Sequence, residues 1–258
     1  MCRYVEWPCS LTGLHPANAP ADKQIFVNVS GKFLHDVPGN ASAVWGNRSS
    51  PFVRCRVDGF YFSVGAWLSS SVVQCTVLPL NRTLAAGIRL PVTVEVALNG
   101  QQFVQSSSRL HYHSASIAVS QLLPQSGPQD GSTVLLVTGA GLFDAASELR
   151  CSFGGYESSV AGVCIGPSHN CTAVRCVSPA MVGSSAVVSS RRGIGNPMTI
   201  QPVRLSFDGG QTFGASSSVF YSYPTPHVNR IVPAVGIFDR CAAPTPTDPE
   251  RGGYAGAP

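Results

Sequence analysis

The chain has 258 residues, 44% of them hydrophobic but only 12% charged, and a net charge of +4. That length leaves room for two domains of ordinary size, each with its own core, and the regular apolar runs exclude a disordered chain. The positive charge comes from Lys23, Lys32 and scattered arginines, with Arg191-Arg192 the only basic pair, so the clustered stripe of a nucleic-acid-binding surface is missing.

Taken in chain order, residues 1–10 read as the tail of a preceding module. A first module spans 11–113. Ile25 to Val29, Phe52 to Val57 and Val73 to Val77 alternate apolar and polar residues, as half-buried strands do. Val92 to Leu98 alternates again, Asn99-Gly100 makes a hairpin turn, and Leu110 to His113 is the last strand. A second module spans 114–224. Ile117 to Leu123 is a strand, Ser126-Gly127-Pro128 a turn, and Thr133 to Val137 a strand stopped by Gly139-Ala140-Gly141. Glu148 to Phe153 and Ala173 to Val177 follow as strands, and residues 183–197 form a long loop. Val203, Leu205 and Phe207 alternate with Arg204 and Ser206, Asp208-Gly209-Gly210 turns, and Val219 to Tyr223 closes the module. No segment carries an apolar stripe at helical spacing. Residues 225–258 read as the start of a third module and a tail.

The modules are copies. Pro16, Pro20, Asp22 and Gly31 recur as Pro124, Pro128, Asp130 and Gly139, each 108 positions later. A third start, Ile231-Val232-Pro233, comes 109 positions after Pro124. Such a period is the length of a small domain, not of a solenoid unit. The chain is therefore read as a piece of a longer, strung-out surface protein. It has no apolar run of roughly 18 residues, and Met1 to Glu6 lacks a signal-peptide core. Any membrane attachment is expected through parts outside it.

The nine cysteines carry the strongest further signal. Cys55 shares a strand face with Val53 and Val57, and Cys75 with Val73 and Val77. Cys151 and Cys176 repeat the pattern among Leu149, Phe153 and Val174. Two cysteines on the apolar faces of two strands can meet inside a sandwich, so Cys55–Cys75 and Cys151–Cys176 are the expected disulfides. The alternative is four free buried thiols. Cys164 and Cys171, nested in the second loop, can close a smaller ring. Cys2 can pair with Cys9, which leaves Cys241 over. No C-x2-C pair occurs, which argues against zinc. Asn-X-Ser/Thr acceptors stand at Asn28, Asn40, Asn47, Asn81 and Asn170. Asn28 points opposite to Val27 and Val29. Disulfides and acceptors together indicate an oxidising, extracellular or cell-surface setting.

Catalytic constellations are not evident. His111 and His113 share a strand face but have no third ligand in view, and they read as outer residues of the last strand. Gly139 matches Gly31, so it serves a turn and not a phosphate loop. No serine lies in G-x-S-x-G, and Glu95 stands alone on an exposed face. Asp22 and Asp130 lack the acidic neighbours that calcium needs. Trp67, between Cys55 and Cys75, packs in or near the core. Trp45 is either a loop anchor or an exposed contact residue. No cofactor is expected.

These features resemble the IPT/TIG family of immunoglobulin-like modules in plexins and related receptors. The family's opening is met by Leu123-Pro124, Gly127-Pro128, Gly131 and Gly139. Its cysteine pair is met by Cys151 and Cys176, with Pro179 after the second. Its closing pattern is met by Asp208-Gly209, Phe213 and Phe220 to Tyr223. The first module departs, with Ala19 and Lys23 in place of two glycines and a longer third-strand loop. The resemblance implies an all-β fold of tandem immunoglobulin-like sandwiches. It implies three settings: extracellular receptor arrays, Rel-type DNA-binding dimerisation domains, and accessory domains of carbohydrate-active enzymes. Cysteines and glycan acceptors favour the first. The expected function is non-catalytic binding or spacing, with a protein or glycan ligand and no nucleic acid.

Overall fold

A computed structural model of the chain describes residues 9–32, 34, 53–80, 82–154, 159–167, 171–180, 199–230 and 232. The chain divides into two compact units, Met1–Thr225 and Pro226–Pro258. The described strands all lie in the first. The described residues of the second, 226–230 and 232, contain no strand.

The first sandwich is built from β1 (Ser10–His15), β2 (Asn18–Pro20), β3 (Ile25–Lys32), β4 (Arg54–Val57), β5 (Tyr61–Ser69), β6 (Val72–Val77), β7 (Arg89–Val92), β8 (Val94–Ala97), β9 (Val104–Gln105) and β10 (Leu110–His113). The second repeats it with β11 (Ala118–Leu123), β12 (Ser126–Pro128), β13 (Val134–Ala140), β14 (Arg150–Phe153), β15 (Ser159–Ala161), β16 (Val163–Ile165), β17 (Ala173–Val177), β18 (Thr199–Ser206), β19 (Ala215–Ser216) and β20 (Val219–Tyr223). A 3-10 turn, Ala146–Glu148, precedes β14.

Among the described residues the sheet orders are β1-β3-β6-β5-β4-β8-β9 and β2-β10-β7, then β16-β17-β13-β11-β19 and β12-β20-β18-β14-β15. The buried apolar residues fall into two clusters, Leu11 to Tyr112 and Ile117 to Phe220. Period-two alternation supplies both. In β3, Ile25, Val27 and Val29 are buried while Phe26 is exposed; in β6, Val73, Cys75 and Val77 are buried. Tyr112 lies in the first core and its hydroxyl donates to the Leu78 carbonyl at 2.7 Å, which satisfies its polar end.

Repetition is clearest at each module's opening. In both copies the first strand makes an antiparallel ladder with the third and breaks register once, between Leu11 and Gly13 and between Val119 and Gln121. The chain then passes a cis proline, Pro16 or Pro124, and continues as a short strand parallel to the last one. Ser126–Pro128 is therefore strand β12 and not a turn, because the Tyr221 N–H donates to Gln125 and the Gln129 N–H to Tyr223. Gly31 and Gly139 are also not turn residues. They lie within β3 and β13, opposite Leu11 and Val119 at the bulge, and a Cβ there would stand 2.4 Å from the Ser10 carbonyl oxygen or 2.0 Å from that of Ala118. Only glycine fits so close a backbone approach.

Two further expectations need correction. The Glu148 to Phe153 run starts with the 3-10 turn and is strand only from Arg150. The Asp208 turn does not join ladder partners directly: β18 pairs with β20, and β19 between them pairs with β11 in the other sheet.

Candidate functional site

Each core is crossed by a disulfide. Cys55 on β4 bonds Cys75 on β6, with Cα atoms 5.8 Å apart, and Cys151 on β14 bonds Cys176 on β17, with Cα atoms 6.3 Å apart. All four are fully buried. Over each bridge passes a glycine. The Gly65 N–H donates to the Val53 carbonyl at 3.0 Å and the Gly162 N–H to that of Leu149 at 2.9 Å. A Cβ on Gly65 would stand 3.0 Å from the Cys55 sulfur, and one on Gly162 2.9 Å from the Cys151 sulfur. Cys164 bonds Cys171 and closes a small ring at the edge of the second sandwich, with Cα atoms 5.5 Å apart. Cys9 is half-buried and has no disulfide among the described residues; burial pushes its thiol pKa up. Cys2 and Cys241 lie outside the described residues.

A buried polar constellation lies where the two sandwiches meet. β2 is an edge strand, and Asn18, its first residue, and Ala17, just before it, present their N–H groups to the second sandwich. Glu148, on the 3-10 turn of the second sandwich, receives them. Its Oε1 accepts from the Ala17 N–H; its Oε2 accepts from the Asn18 N–H at 3.1 Å and from Asn18 Nδ2 at 2.7 Å. Asn18 Oδ1 in turn accepts from Arg89 Nη2 at 2.8 Å. The Arg89 guanidinium carbon sits 4.9 Å from the centre of the Phe143 ring, within reach of a cation–π attraction. Glu148 is buried, and burial pushes its carboxyl pKa up, opposed by the hydrogen bonds from Ala17 and Asn18. Burial also pulls the Arg89 pKa down, opposed by Asp144 and Glu148.

Phe143 and Phe207 stack 4.5 Å apart, and His113 lies 5.1 Å from the first and 6.3 Å from the second. His113 is thus not an outer residue of β10: it is 3% exposed. Its Nδ1 meets the Ser114 carbonyl at 3.0 Å, which makes that nitrogen the N–H, and its Nε2 has no partner among the described residues. Burial pulls the His113 pKa down. On the opposite flank Gln211 behaves as a fragment of strand. The Phe26 N–H donates to its Oε1 at 2.8 Å, and its Nε2 donates to the Phe26 carbonyl at 2.7 Å. Ser114 to Ser116 is therefore not the only joint between the sandwiches; side chains of both span it.

A second feature is the outer face of β4, β5 and β8. Phe60 and Phe62 are exposed, and Arg56 grips Glu95 through Nε at 2.6 Å and Nη2 at 2.9 Å. The Arg56 guanidinium carbon lies 4.3 Å from the Phe103 ring centre and 5.9 Å from that of Phe62. Glu95 does not stand alone, as the sequence suggests, but in this bidentate pair. Trp67 packs on the first core and its Nε1 donates to the Leu34 carbonyl at 2.8 Å. Trp7 and Trp45 lie outside the described residues.

Of the glycan acceptors, Asn28 is described; Asn40, Asn47, Asn81 and Asn170 lie outside the described residues. Asn28 faces outward from β3 and its Oδ1 accepts from Gln74 Nε2 at 3.2 Å. Among the described residues no group of three or more His, Cys, Asp or Glu could hold a metal ion, and no helix is long and apolar enough to cross a membrane. Sequence reasoning missed Glu148, Arg89, Phe143 and Gln211. The signal available was an acidic residue, Glu148, directly before core Leu149.

Two immunoglobulin-like sandwiches in series, each with a disulfide across its core, define the class of the molecule. Within it, residues 118–223 match the sequence profile of the IPT/TIG domain, and the second sandwich is an IPT/TIG domain. No curated protein matches the chain. Among solved structures, the plexin A4 full extracellular region, domains 1 to 10, is similar at 15% identity and a TM-score of 0.49, over 88% of this chain and 16% of that one. A second structure of the plexin A4 extracellular region, domains 1 to 8, is similar at 14% identity and a TM-score of 0.43, over 83% of this chain and 18% of that one. The chain thus spans less than a fifth of either.

Proposed function

We propose that the chain is a non-catalytic segment of an extracellular, receptor-like protein. It holds binding surfaces for a protein partner at a fixed spacing and angle. The observation that carries this reading is the junction of Glu148, Asn18, Arg89, Phe143, His113 and Gln211. A linker alone would leave two beads free to pivot; a buried carboxylate and stacked rings across the joint favour one angle. The disulfides fit an oxidising compartment and argue against a Rel-type intracellular role. Exposed Phe62 beside the Arg56–Glu95 pair adds the aromatic and arginine content of interface hot spots, which favours a protein over a nucleic acid as ligand. In this reading 11–113 and 114–224 act as one rod, and adhesion or recognition is its work.

Small-angle X-ray scattering tests the reading. The wild-type chain is expected to give one narrow distribution of module separation, and Glu148→Ala combined with Gln211→Ala a broader one. Equal flexibility in both proteins would overturn the spacer role. Non-reducing peptide mapping tests the compartment: free thiols at Cys55, Cys75, Cys151 and Cys176 in protein from its native source would overturn the extracellular assignment.

A further inference from the structure

We propose that Asn28 carries an N-linked glycan whose first sugar lies in the groove between the two sandwiches and braces their junction. The inference rests on the extracellular reading above. The acceptor triplet Asn28-Val29-Ser30 lies on β3, where Val27 and Val29 are fully buried, so Asn28 and Ser30 share the outer face. Gln74 holds Asn28 Oδ1 at 3.2 Å and fixes the amide plane. Nδ2, the atom that takes the sugar, has no hydrogen bond among the described residues. Asn28 lines a groove of about 290 Å³ together with His15, Pro16, Phe26, Asp208 and Gln211.

That groove suits a hexosamine. The sugar has an apolar face and a rim of hydroxyls, and sites that accept such a ligand pair an apolar surface with a few placed polar groups. Phe26 offers a ring that is 49% exposed. Gln211 offers a carboxamide oxygen from the other sandwich, and His15 a ring nitrogen from the first, whereas Asp208 is fully buried with both carboxylate oxygens held by Ser206 and Thr212. Phe26 and Gln211 are also the two halves of the double hydrogen bond across the joint. A sugar seated on them shields that bond from water and touches both sandwiches at once. In the transfer, the Nδ2–C1 bond forms and the C1–O bond to a lipid-diphosphate sugar donor breaks. Nδ2 gives up one proton, and the lipid diphosphate leaves with the electron pair.

The test uses the full chain secreted from a eukaryotic host and mapped by mass spectrometry without reduction, before and after peptide N-glycosidase. The expected result is a hexosamine-based mass on the Asn28 peptide, in protein whose Cys55–Cys75 and Cys151–Cys176 bonds are formed. Bare Asn28 in disulfide-bonded protein overturns the glycan and leaves the extracellular reading standing. Free thiols overturn both. Bracing has its own readout. Ser30→Ala removes the acceptor triplet but keeps the Asn28–Gln74 bond, and it is expected to speed hydrogen exchange at the Phe26 amide several-fold while leaving core amides unchanged. Unchanged exchange at Phe26, in a variant shown to have lost the glycan, overturns the brace.

Discussion

The two sandwiches make the same crossing between layers in different ways. In the first, β5 is one continuous strand: Tyr61 to Val64 pair with β4, and Gly65 onward pair with β6. In the second, the crossing is cut at Gly162 into β15 and β16, which pair with β14 and β17 separately. A short strand has few ladder bonds to hold it. Where the crossing is cut, Cys164–Cys171 ties β16 back to the chain beside β17. The shared element is the glycine over the core disulfide; the ladder around it is what varies.

The largest effect should come from the core disulfides. Cys55→Ala/Cys75→Ala and Cys151→Ala/Cys176→Ala each open a loop, of sequence separation 20 and 25. Each pair is expected to cost about 3 kcal/mol on the chain-entropy account, measured by urea denaturation. If the continuous β5 supports its sandwich better than the cut strand does, the first variant will keep native near-ultraviolet dichroism when the second has lost it. Next come the glycines. Gly65→Ala drives a Cβ to 2.5 Å from a Val53 methyl, a closer clash than any Gly162→Ala makes with a side chain. Overpacking of this kind costs about 1–3 kcal/mol. Gly65→Ala is expected at the upper end, and a larger loss for Gly162→Ala would show that the cut crossing is the more rigid of the two.

Removing the junction carboxylate is a smaller change. Glu148→Ala strands the Ala17 and Asn18 donors, and is expected to cost about 1–2 kcal/mol, since relief of a buried charge offsets part of the lost bonds. Calorimetry should then resolve two transitions where the wild type shows one. The smallest effect is on pH. His113 faces Asp208, Asp22 and Arg89, and its pKa in the folded state is depressed. Its contribution is therefore present above the ordinary histidine value of about 6.5 and lost as pH falls through the folded value. Glu148 has the opposite sign: its raised pKa gives a contribution present below the ordinary glutamate value and lost as pH rises through the folded value. Melting temperature is expected to fall between pH 6.5 and 5 in the wild type, and to fall less in His113→Phe. Equal slopes in the two proteins would remove His113 from the account.

What the sequence conveyed follows from what strand phase can encode. Cys55, Cys75, Cys151 and Cys176 alternate with polar neighbours, and that alternation puts them on buried faces whatever the rest of the chain does. The 108-residue spacing places Pro16 and Pro124, and Gly31 and Gly139, at matched positions. The reason for the glycines was not visible, because it lies in a backbone passing 2–3 Å from where a side chain would be. Ser126–Pro128 reads as a turn by composition, yet its parallel partner lies at Tyr221 to Tyr223, far along the chain. The junction was the least legible part. Glu148 and Asn18 are 130 residues apart, and Phe26 and Gln211 are 185 apart, so no local pattern links them. His113 looks like any alternating strand residue until the second sandwich covers it.

Gln211 holds Phe26 only because a carboxamide presents an acceptor and a donor side by side. Slow hydrolysis of that amide to an acid, of the kind long-lived secreted proteins undergo, would leave an anion against the Phe26 carbonyl where a donor had been. One half of the grip would then repel. The joint would carry its own record of molecular age, written in a single nitrogen.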